Sequence, residues 1–334
     1  MSNNGLSADS KIIVSVPATS ANLGPGFDLW GLAFKLRNEF VGKPVATRQG
    51  SVVKHVVRYE PQVKDTADEK ALQQMPLDDR NLFSKAYLSI FEKRRLNPVA
   101  IDVEIIVRIP MERGLGSSST AILAGMVMAN EIIRRNQGQP FTMEEIFEMA
   151  CTVEGHPDNI APALWGGWIL SLYNSSIQKF LAFPLKLRAP VKIAGIVPHL
   201  TLSTDTARES LPTSFSRFDM IQQSGCTALM THLLEKENWS EAERKTFHLA
   251  LRDRIHQTAR AQFIPGMNET FEAWRKMGCL GAFLSGAGTC LLGFWPKEQN
   301  IPFSRLGDAM FAAGVGSRPI ELEVDNLGLT VDVT

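Results

Sequence analysis

The sequence predicts an α+β protein with two domains. Segments with strand-like patterns are interspersed with helical ones in both halves of the chain, as is typical of α+β architectures. At 334 residues, the chain is long enough to form two domains of ordinary size, each with its own core.

The first half opens with a predicted strand, KIIVSV (11–16), followed by PATSANLGPGFD, a stretch rich in turn residues that we interpret as a shaped loop. IDVEIIVRIP (101–110) alternates apolar and polar residues and predicts a half-buried strand. Helical apolar spacing then runs from Ser119 or Thr120 to about Arg135. Thr142 and Glu145 form a capping box that opens a helix over about 143–153.

The second half repeats this mixture. WILSLY and VKIAGIVP predict strands, and residues 217–262 are predicted to be largely helical, with a second capping box at Ser240 and Glu243. CLGAFLSGAGTCLLGF (279–294) predicts two strands around a glycine turn.

Composition favours a small-molecule partner in the cytoplasm. Lys plus Arg and Asp plus Glu both number 35 with no long block of one sign, so neither nucleic acid nor a membrane surface is an expected partner. The polar start lacks the apolar core of a signal peptide, and AILAGMVMAN is too short to span a membrane. The four cysteines and six histidines show no metal-binding spacing, which predicts reduced thiols.

The stretch MERGLGSSST lies between the predicted strand 101–110 and the helix that follows it. Glycines let main-chain amides approach an anion, and the N-terminus of a helix favours negative charge, so this loop predicts an anion site. The alternative is that its serines only cap the helix. The loop has no lysine, so the common G-x-x-x-x-G-K-[ST] loop is absent.

A second polar cluster follows in EGHPDNIAPALWGGW. Glu154, His156, Asp158 and Asn159 crowd a loop next to an apolar segment, which indicates polar groups held against a core. Taken alone, Asp158 is better explained as a helix cap after Pro157.

Four segments in order, PATSANLGPGFD, PMERGLGSSST, EGHPDNIAPALWGG and LSGAGTC, resemble the GHMP small-molecule kinases over essentially the whole chain, and within them the homoserine kinases. The resemblance implies a mixed-sheet, nucleotide-binding domain over 1–170 and an α/β-sandwich domain over 171–334. It also implies transfer of the γ-phosphoryl group of ATP to the hydroxyl of L-homoserine, with Mg²⁺, in threonine biosynthesis. A homodimer is implied as well.

The resemblance assigns the nucleotide side of the site. A serine, Ser118, and the carboxylate of Glu148 would bind Mg²⁺, and Asn81 would lie near adenine. The implied phosphate-binding residues are Pro110, Arg113, Gly114, Leu115, Gly116, Ser117, Ser118 and Ser119. From the residues alone, Glu148 equally fits a solvated helix face and Asn81 a helix cap.

The resemblance also assigns the substrate side. Asn22 and Asp28 would bind the amino group, Arg208 and Arg260 the carboxylate, and Asn159 the hydroxyl. Thr204 and His156 would line the same pocket. The implied catalytic residues are Asn159, Arg208 and Glu148.

Some positions leave other interpretations open. HQTAR, which ends at Arg260, departs from the more usual family form E-P-Y-R. Either arginine could instead form a surface ion pair. Asp158 ranks below Asn159 as a catalytic group, because adjacent side chains in an ordered loop seldom point the same way.

Two rival functions remain. The chain could be a GHMP kinase for another small alcohol, although a sugar would not need two cations. It could also be a catalytically silent member of the fold that senses a metabolite. A hydrolase is disfavoured, since G-x-S-x-G is absent.

Overall fold

The structure, a computed structural model, describes residues 10–45, 50–61, 66–136 and 138–334. The polar start on which the prediction of no signal peptide rests falls outside these ranges. Within them, no helix combines the length and apolar character needed to cross a membrane. The four cysteines are free thiols, as predicted.

The described residues form eleven strands and eleven α-helices. In chain order, the strands are β1 (Ile12–Asn22), β2 (Gly26–Pro44), β3 (Val53–Tyr59), β4 (Ile101–Val107), β5 (Trp168–Asn174), β6 (Lys179–Leu185), β7 (Val191–Pro198), β8 (Gly281–Leu284), β9 (Leu291–Pro296), β10 (Ser317–Leu322) and β11 (Thr330–Val333). The helices are α1 (Thr66–Gln73), α2 (Leu82–Arg94), α3 (Ser117–Arg135), α4 (Met143–Glu154), α5 (Ile160–Trp165), α6 (Thr204–Glu209), α7 (Arg217–Leu234), α8 (Glu241–Ala250), α9 (Gln257–Arg260), α10 (Met267–Lys276) and α11 (Asp308–Ala312).

Two sheets organise these elements. The first has the order β11-β1-β2-β4-β3, with β5 pairing to β2 and β6 to β5, and is mixed because β3 and β4 run parallel. The second has the order β10-β7-β9-β8 and is antiparallel throughout. The predicted α+β class and the mixed first sheet are confirmed.

Each sheet is covered by helices. The first packs against α2, α3, α4 and α5 in one core. In the second, Ile193 and Val197 face α7 and α8, whereas Ala194 and Ile196 face α10 and α11, because successive strand residues alternate between faces. Helices on both faces confirm the predicted α/β sandwich.

The division between the sheets does not coincide with residue 170. Strand β6 extends the first sheet, and β11 returns from the end of the chain to pair with β1. β6 forms an antiparallel hairpin with β5, whereas β11 pairs antiparallel with β1 from the other end of the chain, so strands beyond residue 170 complete the first sheet.

The longest departure from the sequence prediction is in β1. The predicted strand 11–16 continues through the stretch interpreted as a loop, as far as Asn22, and pairs with β2 along its whole length. Its register shifts between Pro17 and Ala18. A bulge accommodates a proline that cannot donate to the ladder, so the strand is not interrupted there.

Candidate active site

Two predicted substrate residues flank the turn between β1 and β2: Asn22 ends β1 and Asp28 lies near the start of β2. Asn22 and Asp28 both have positive φ, 73° and 54°, which is strained for residues other than glycine and concentrates at functional sites. The main-chain N–H of Asp28 donates to Asn22 Oδ1 at 3.1 Å, and Asn22 Nδ2 donates to Gly286 O at 3.1 Å. These bonds fix the Asn22 side chain and tie it to the main chain of Asp28.

The glycine and serine loop connects β4 to α3, as predicted. Gly114 and Gly116 have φ values of 73° and 71°, which favour glycine. A Cβ on Gly114 would lie 2.0 Å from Ser285 O, and one on Gly116 would lie 2.0 Å from Thr19 Oγ1. The loop therefore needs glycine at both positions for conformation and for space.

The helix N-terminus is open to an anion. Gly116 is the N-cap of α3 and offers no side chain to its first amides. The helix begins at Ser117, so Ser117, Ser118 and Ser119 occupy its first turn. The alternative in which these serines only cap the helix is therefore wrong, and the uncapped amides suit a phosphate.

The third glycine segment packs against this loop. The Ser285 hydroxyl donates to Gly114 O at 2.6 Å, and Cys290 N donates to Arg113 O at 3.0 Å. The two strands predicted around this segment, β8 and β9, pair antiparallel. The segment between two strands of the second sheet thus packs against residues 110–119, which we call the phosphate loop because we expect it to bind an anion.

One cleft of about 590 Å³ joins these segments, a volume in the usual range for small-molecule sites. Among its lining residues are most of the predicted site residues: Asn22, Asp28, Asn81, Pro110, Arg113, Gly114, Leu115, Gly116, Ser117, Ser118, His156, Asn159, Thr204, Arg208 and Arg260. The structure brings these residues together from the first three motif segments and from the second half of the chain, and the fourth segment adds Gly286, Ala287 and Gly288 to the lining.

Glu148 is not in this cleft. Its Oε2 accepts a hydrogen bond from Phe180 N at 3.1 Å, and it borders a separate cavity beside β6. Glu154 lines the cleft instead and accepts from the hydroxyls of Ser119 at 2.9 Å and Ser118 at 3.4 Å. Residues six apart on a helix lie about 120° apart around its axis, so the two carboxylates face different cavities. Sequence reasoning singled out Glu154 only as part of a polar cluster.

Burial raises the pKa of the Glu154 carboxyl, an effect that the nearby His156 and the two serine hydroxyls oppose. A desolvated carboxylate beside a serine hydroxyl supplies the oxygen ligands that Mg²⁺ prefers. Among the described residues of this cleft, the pair Ser118 and Glu154 therefore fits a metal ion better than Ser118 and Glu148.

His156, Asp158 and Asn159 converge on one wall. His156 Nδ1 lies 2.6 Å from Asp158 Oδ1, and Asn159 Nδ2 donates to the same oxygen at 3.3 Å. Burial opposes the charged imidazole, but the carboxylates of Asp158 and Glu154 together outweigh it and raise the pKa of His156. The expectation that Asp158 and Asn159 point apart is wrong, because both side chains meet at one buried oxygen.

Two charged groups that were assigned to opposite ends of a substrate pair with each other. Arg208 donates to Asp28 through Nη2 at 2.7 Å and through Nη1 at 3.1 Å, a bidentate contact. The pair lies inside the cleft, and each side chain is about one-third exposed. Both groups can therefore exchange this partner for a ligand of opposite charge.

Arg260 is a buried cation with no carboxylate within salt-bridge distance among the described residues. Its guanidinium donates to Gly286 O at 2.9 Å, Ala207 O at 3.3 Å and His256 Nδ1 at 3.2 Å. Burial, aided by the charge of Arg208, lowers its pKa to about 10. A surface ion pair is excluded for this residue, and a bound anion would compensate its charge.

The other predicted residues differ in how far their side chains reach into the cleft. Asn81 caps α2, accepting from Phe83 N at 2.9 Å, which confirms the helix-cap interpretation, and it also lines the cleft. Arg113 borders the cleft, but its guanidinium is fully buried and donates to Pro198 O and Met111 O. Ser119 lies behind the cleft wall, its hydroxyl turned to Glu154. Thr204 begins α6 at the exposed rim.

Replacement of Gly114 by alanine is expected to destabilise the fold by about 3 kcal/mol, since it adds a main-chain clash to a positive φ. Gly314→Ala is the matched control. Gly314 also has a positive φ of 82°, but a Cβ there meets nothing within 4 Å, so we expect a loss of about 1 kcal/mol. Urea denaturation measures both variants, and equal losses would contradict the close approach to Ser285.

Known proteins resemble this chain over nearly its whole length. The profile of the GHMP kinases N terminal domain matches residues 81–167, and that of the GHMP kinases C terminal matches 230–302. Homoserine kinase of Nostoc punctiforme is 35% identical over 329 residues, which cover 97% of this chain and 99% of that protein. Homoserine kinase of Clostridium beijerinckii is 32% identical over 321 residues, covering 96% and 98%. The chain belongs to the GHMP kinase family.

Solved structures share the fold of this GHMP kinase. A homoserine kinase from Cytophaga hutchinsonii has a TM-score of 0.79 at 24% identity, covering 98% of this chain and 99% of that one. L. major mevalonate kinase, solved with R-mevalonate, has a TM-score of 0.60 at 13% identity, covering 93% and 96%. GHMP kinases use ATP with Mg²⁺, and the open helix N-terminus of this one suits a phosphate ligand without a P-loop lysine.

Proposed function

We propose that this GHMP kinase transfers the γ-phosphoryl group of ATP to the side-chain hydroxyl of L-homoserine, giving O-phospho-L-homoserine and ADP. The observation that carries this proposal is Arg260, a buried guanidinium without a carboxylate partner among the described residues. It shares the cleft with Arg208, Asp28 and Asn22. A substrate with one carboxylate and one ammonium satisfies both kinds of group.

In this proposal, the two charged groups of the substrate take the place of the ion pair between Arg208 and Asp28. The carboxylate takes the N–H groups of Arg208 and Arg260, and the ammonium takes Asp28 and Asn22 Oδ1. When homoserine binds, the ion pair between Asp28 and Arg208 is replaced by two others: Asp28 with the substrate's ammonium, and Arg208 with its carboxylate. An uncharged alcohol, such as a sugar, would have to displace the ion pair between Asp28 and Arg208 without giving either group a partner of opposite charge.

The phosphate side uses main-chain groups. Amides of the loop at Gly114 and Gly116 and of the first turn of α3 bind phosphate oxygens, and Ser118 and Glu154 hold Mg²⁺. The metal neutralises charge on the transferred group when it is bound. Positioning and charge neutralisation are the main requirements of phosphoryl transfer, so no lysine is needed.

Asn159 orients the attacking hydroxyl. Its amide is fixed at both ends, since Thr19 Oγ1 donates to Asn159 Oδ1 at 2.7 Å and Asn159 Nδ2 donates to Asp158. An amide cannot act as a base, but in a loose transition state the alcohol loses its proton late. Asp158, buried beside it, is a second candidate for the group that receives this proton.

An ADP-release assay with ATP, Mg²⁺ and a panel of acceptors tests the proposal. We expect turnover with L-homoserine to exceed that with L-threonine, mevalonate and galactose by at least about 100-fold in kcat/KM. Mevalonate lacks the ammonium and galactose lacks both charges, whereas threonine has both charges but carries its hydroxyl one carbon nearer to them. Preference for mevalonate or galactose would favour a GHMP kinase for another alcohol. Nucleotide binding without turnover of any acceptor would favour a silent member of the family.

A further inference from the structure

A buried ionic cluster lies behind the phosphate loop. Asp68 on α1, Arg113 in the loop and Arg318 on β10 have side chains no more than 8% exposed. Asp68 Oδ1 lies 3.7 Å from Arg113 Nη2, and Asp68 Oδ2 lies 3.6 Å from Arg318 Nη2. Tyr59 on β3 donates its hydroxyl to Asp68 Oδ2 at 2.8 Å. One carboxylate therefore stands between two buried guanidinium groups.

Charge, more than direct hydrogen bonding, links Asp68 to the arginines. Both distances exceed a hydrogen bond, and Asp68 Oδ1, Arg113 Nη2 and Arg318 Nε have no hydrogen-bond partner among the described residues. Asp68 is also the carboxylate that the described residues bring within 4 Å of each guanidinium. Its loss would leave two buried cations near one another without compensation.

The cluster connects two walls of the cleft. Arg113 holds the phosphate loop, because its Nη1 donates to Met111 O and its Nε to Pro198 O, both at 2.9 Å. On the other side, α1 leads into the segment that lines the cleft up to Asn81, where Asn81 Nδ2 donates to Pro76 O at 2.7 Å. The lining residues of this segment are Ala71, Gln74, Met75, Pro76, Arg80 and Asn81.

We propose that Asp68 is a positioning residue for the nucleotide: it holds α1 and the cleft wall that follows it against the phosphate loop through Arg113, and against β10 through Arg318. Asp68 does not line the cleft, so this effect passes through Arg113 and not through contact with a ligand. The inference rests on the proposed use of ATP. Asp68 lies outside the three glycine-bearing motif segments and outside the HPDN segment, so the proposal adds a new residue to the nucleotide site.

Asp68→Asn tests this proposal, because it keeps the shape and an acceptor for Tyr59 but removes the charge. Isothermal calorimetry with Mg²⁺ and a non-hydrolysable ATP analogue, without any acceptor alcohol, is expected to show about ten-fold weaker binding. In steady state, KM for ATP rises by a similar factor, while kcat and KM for homoserine stay within about two-fold. Glu69→Gln, on the same helix but exposed, is the matched control and leaves nucleotide affinity unchanged.

Tyr59→Phe provides a second variant if Asp68→Asn fails to fold. It keeps the charge of Asp68 and removes the hydroxyl that orients it, so we expect about three-fold weaker nucleotide binding. Wild-type nucleotide affinity in a folded Asp68→Asn protein would overturn the positioning role alone. A uniform fall of kcat with unchanged KM for ATP would also overturn it. A wild-type chain that binds no nucleotide would overturn both this inference and the proposed function.

Discussion

Glu154→Gln is expected to lower kcat at least about 100-fold with little change in stability. The carboxylate faces the cleft beside Ser118, at the open N-terminus of α3, and is the group that we propose binds Mg²⁺ with that serine. Glutamine keeps the acceptor for the Ser119 hydroxyl but loses the charge that attracts a divalent cation. The apparent affinity for Mg²⁺ should fall with kcat, and a titration of activity against Mg²⁺ measures both.

Glu148→Gln is the matched control for this prediction. Glu148 lies on the same helix, and its contact with Phe180 N needs only an acceptor, which glutamine provides. We expect near-normal activity and an unchanged Mg²⁺ titration. If Glu148→Gln loses activity while Glu154→Gln retains it, Glu148 binds the metal, as the family resemblance implies, and Glu154 does not.

Arg260→Lys is expected to raise KM for homoserine by about 100-fold, which corresponds to about 3 kcal/mol of binding free energy. Lysine keeps the charge but cannot reproduce the planar set of donors that reaches Gly286 O and His256 Nδ1 and still leaves N–H groups for a carboxylate. KM for ATP should stay within about two-fold, because we propose that Arg260 binds the carboxylate of the acceptor and not the nucleotide. Steady-state kinetics with each substrate varied in turn gives both constants.

The conservative change at an exposed arginine serves as the control. Arg252 lies on the surface, eight residues before Arg260 in the chain. We expect Arg252→Lys to leave KM for homoserine and KM for ATP unchanged. Equal effects of Arg260→Lys on KM for homoserine and for ATP would point to a general disturbance of the fold. An unchanged KM for homoserine would remove Arg260 from the substrate site.

Local patterns predicted local structure well. The capping boxes at Thr142 and Ser240 both form, with reciprocal bonds to Glu145 and Glu243. The strand, glycine loop and helix around Gly114 also form as predicted, because steric demands and apolar periodicity within a few residues decide them. In these cases, the residues of a single turn or strand were enough to predict its structure.

Long-range geometry was harder to predict. Whether Glu148 or Glu154 faces the cleft depends on where α4 lies relative to α3, which no local pattern encodes. The convergence of Asp158 and Asn159 likewise depends on a turn that ends α4 at Gly155 and on Thr19 from β1. In the departure HQTAR, His256 Nδ1 contacts the guanidinium of Arg260 at 3.2 Å, and Gln257 Oε1 accepts from Leu284 N at 2.7 Å.

The role of Arg113 shows a further limit of motif reasoning. Its position in the glycine loop suggested contact with phosphate, but the structure buries its guanidinium between main-chain carbonyls and Asp68. Asp68 lies outside all the motif segments and gave no local signal. Only the packing of α1 and β10 onto the loop reveals that partner.

Product identification in a competition experiment tests the central claim most directly. The protein is incubated with ATP, Mg²⁺ and equal concentrations of L-homoserine, L-threonine, mevalonate and galactose, and the phosphorylated products are resolved by ³¹P NMR. We predict a single phosphate ester, O-phospho-L-homoserine, formed in step with ADP. A phosphate ester of any other acceptor as the main product, or ADP formed with no new ester, would contradict the account.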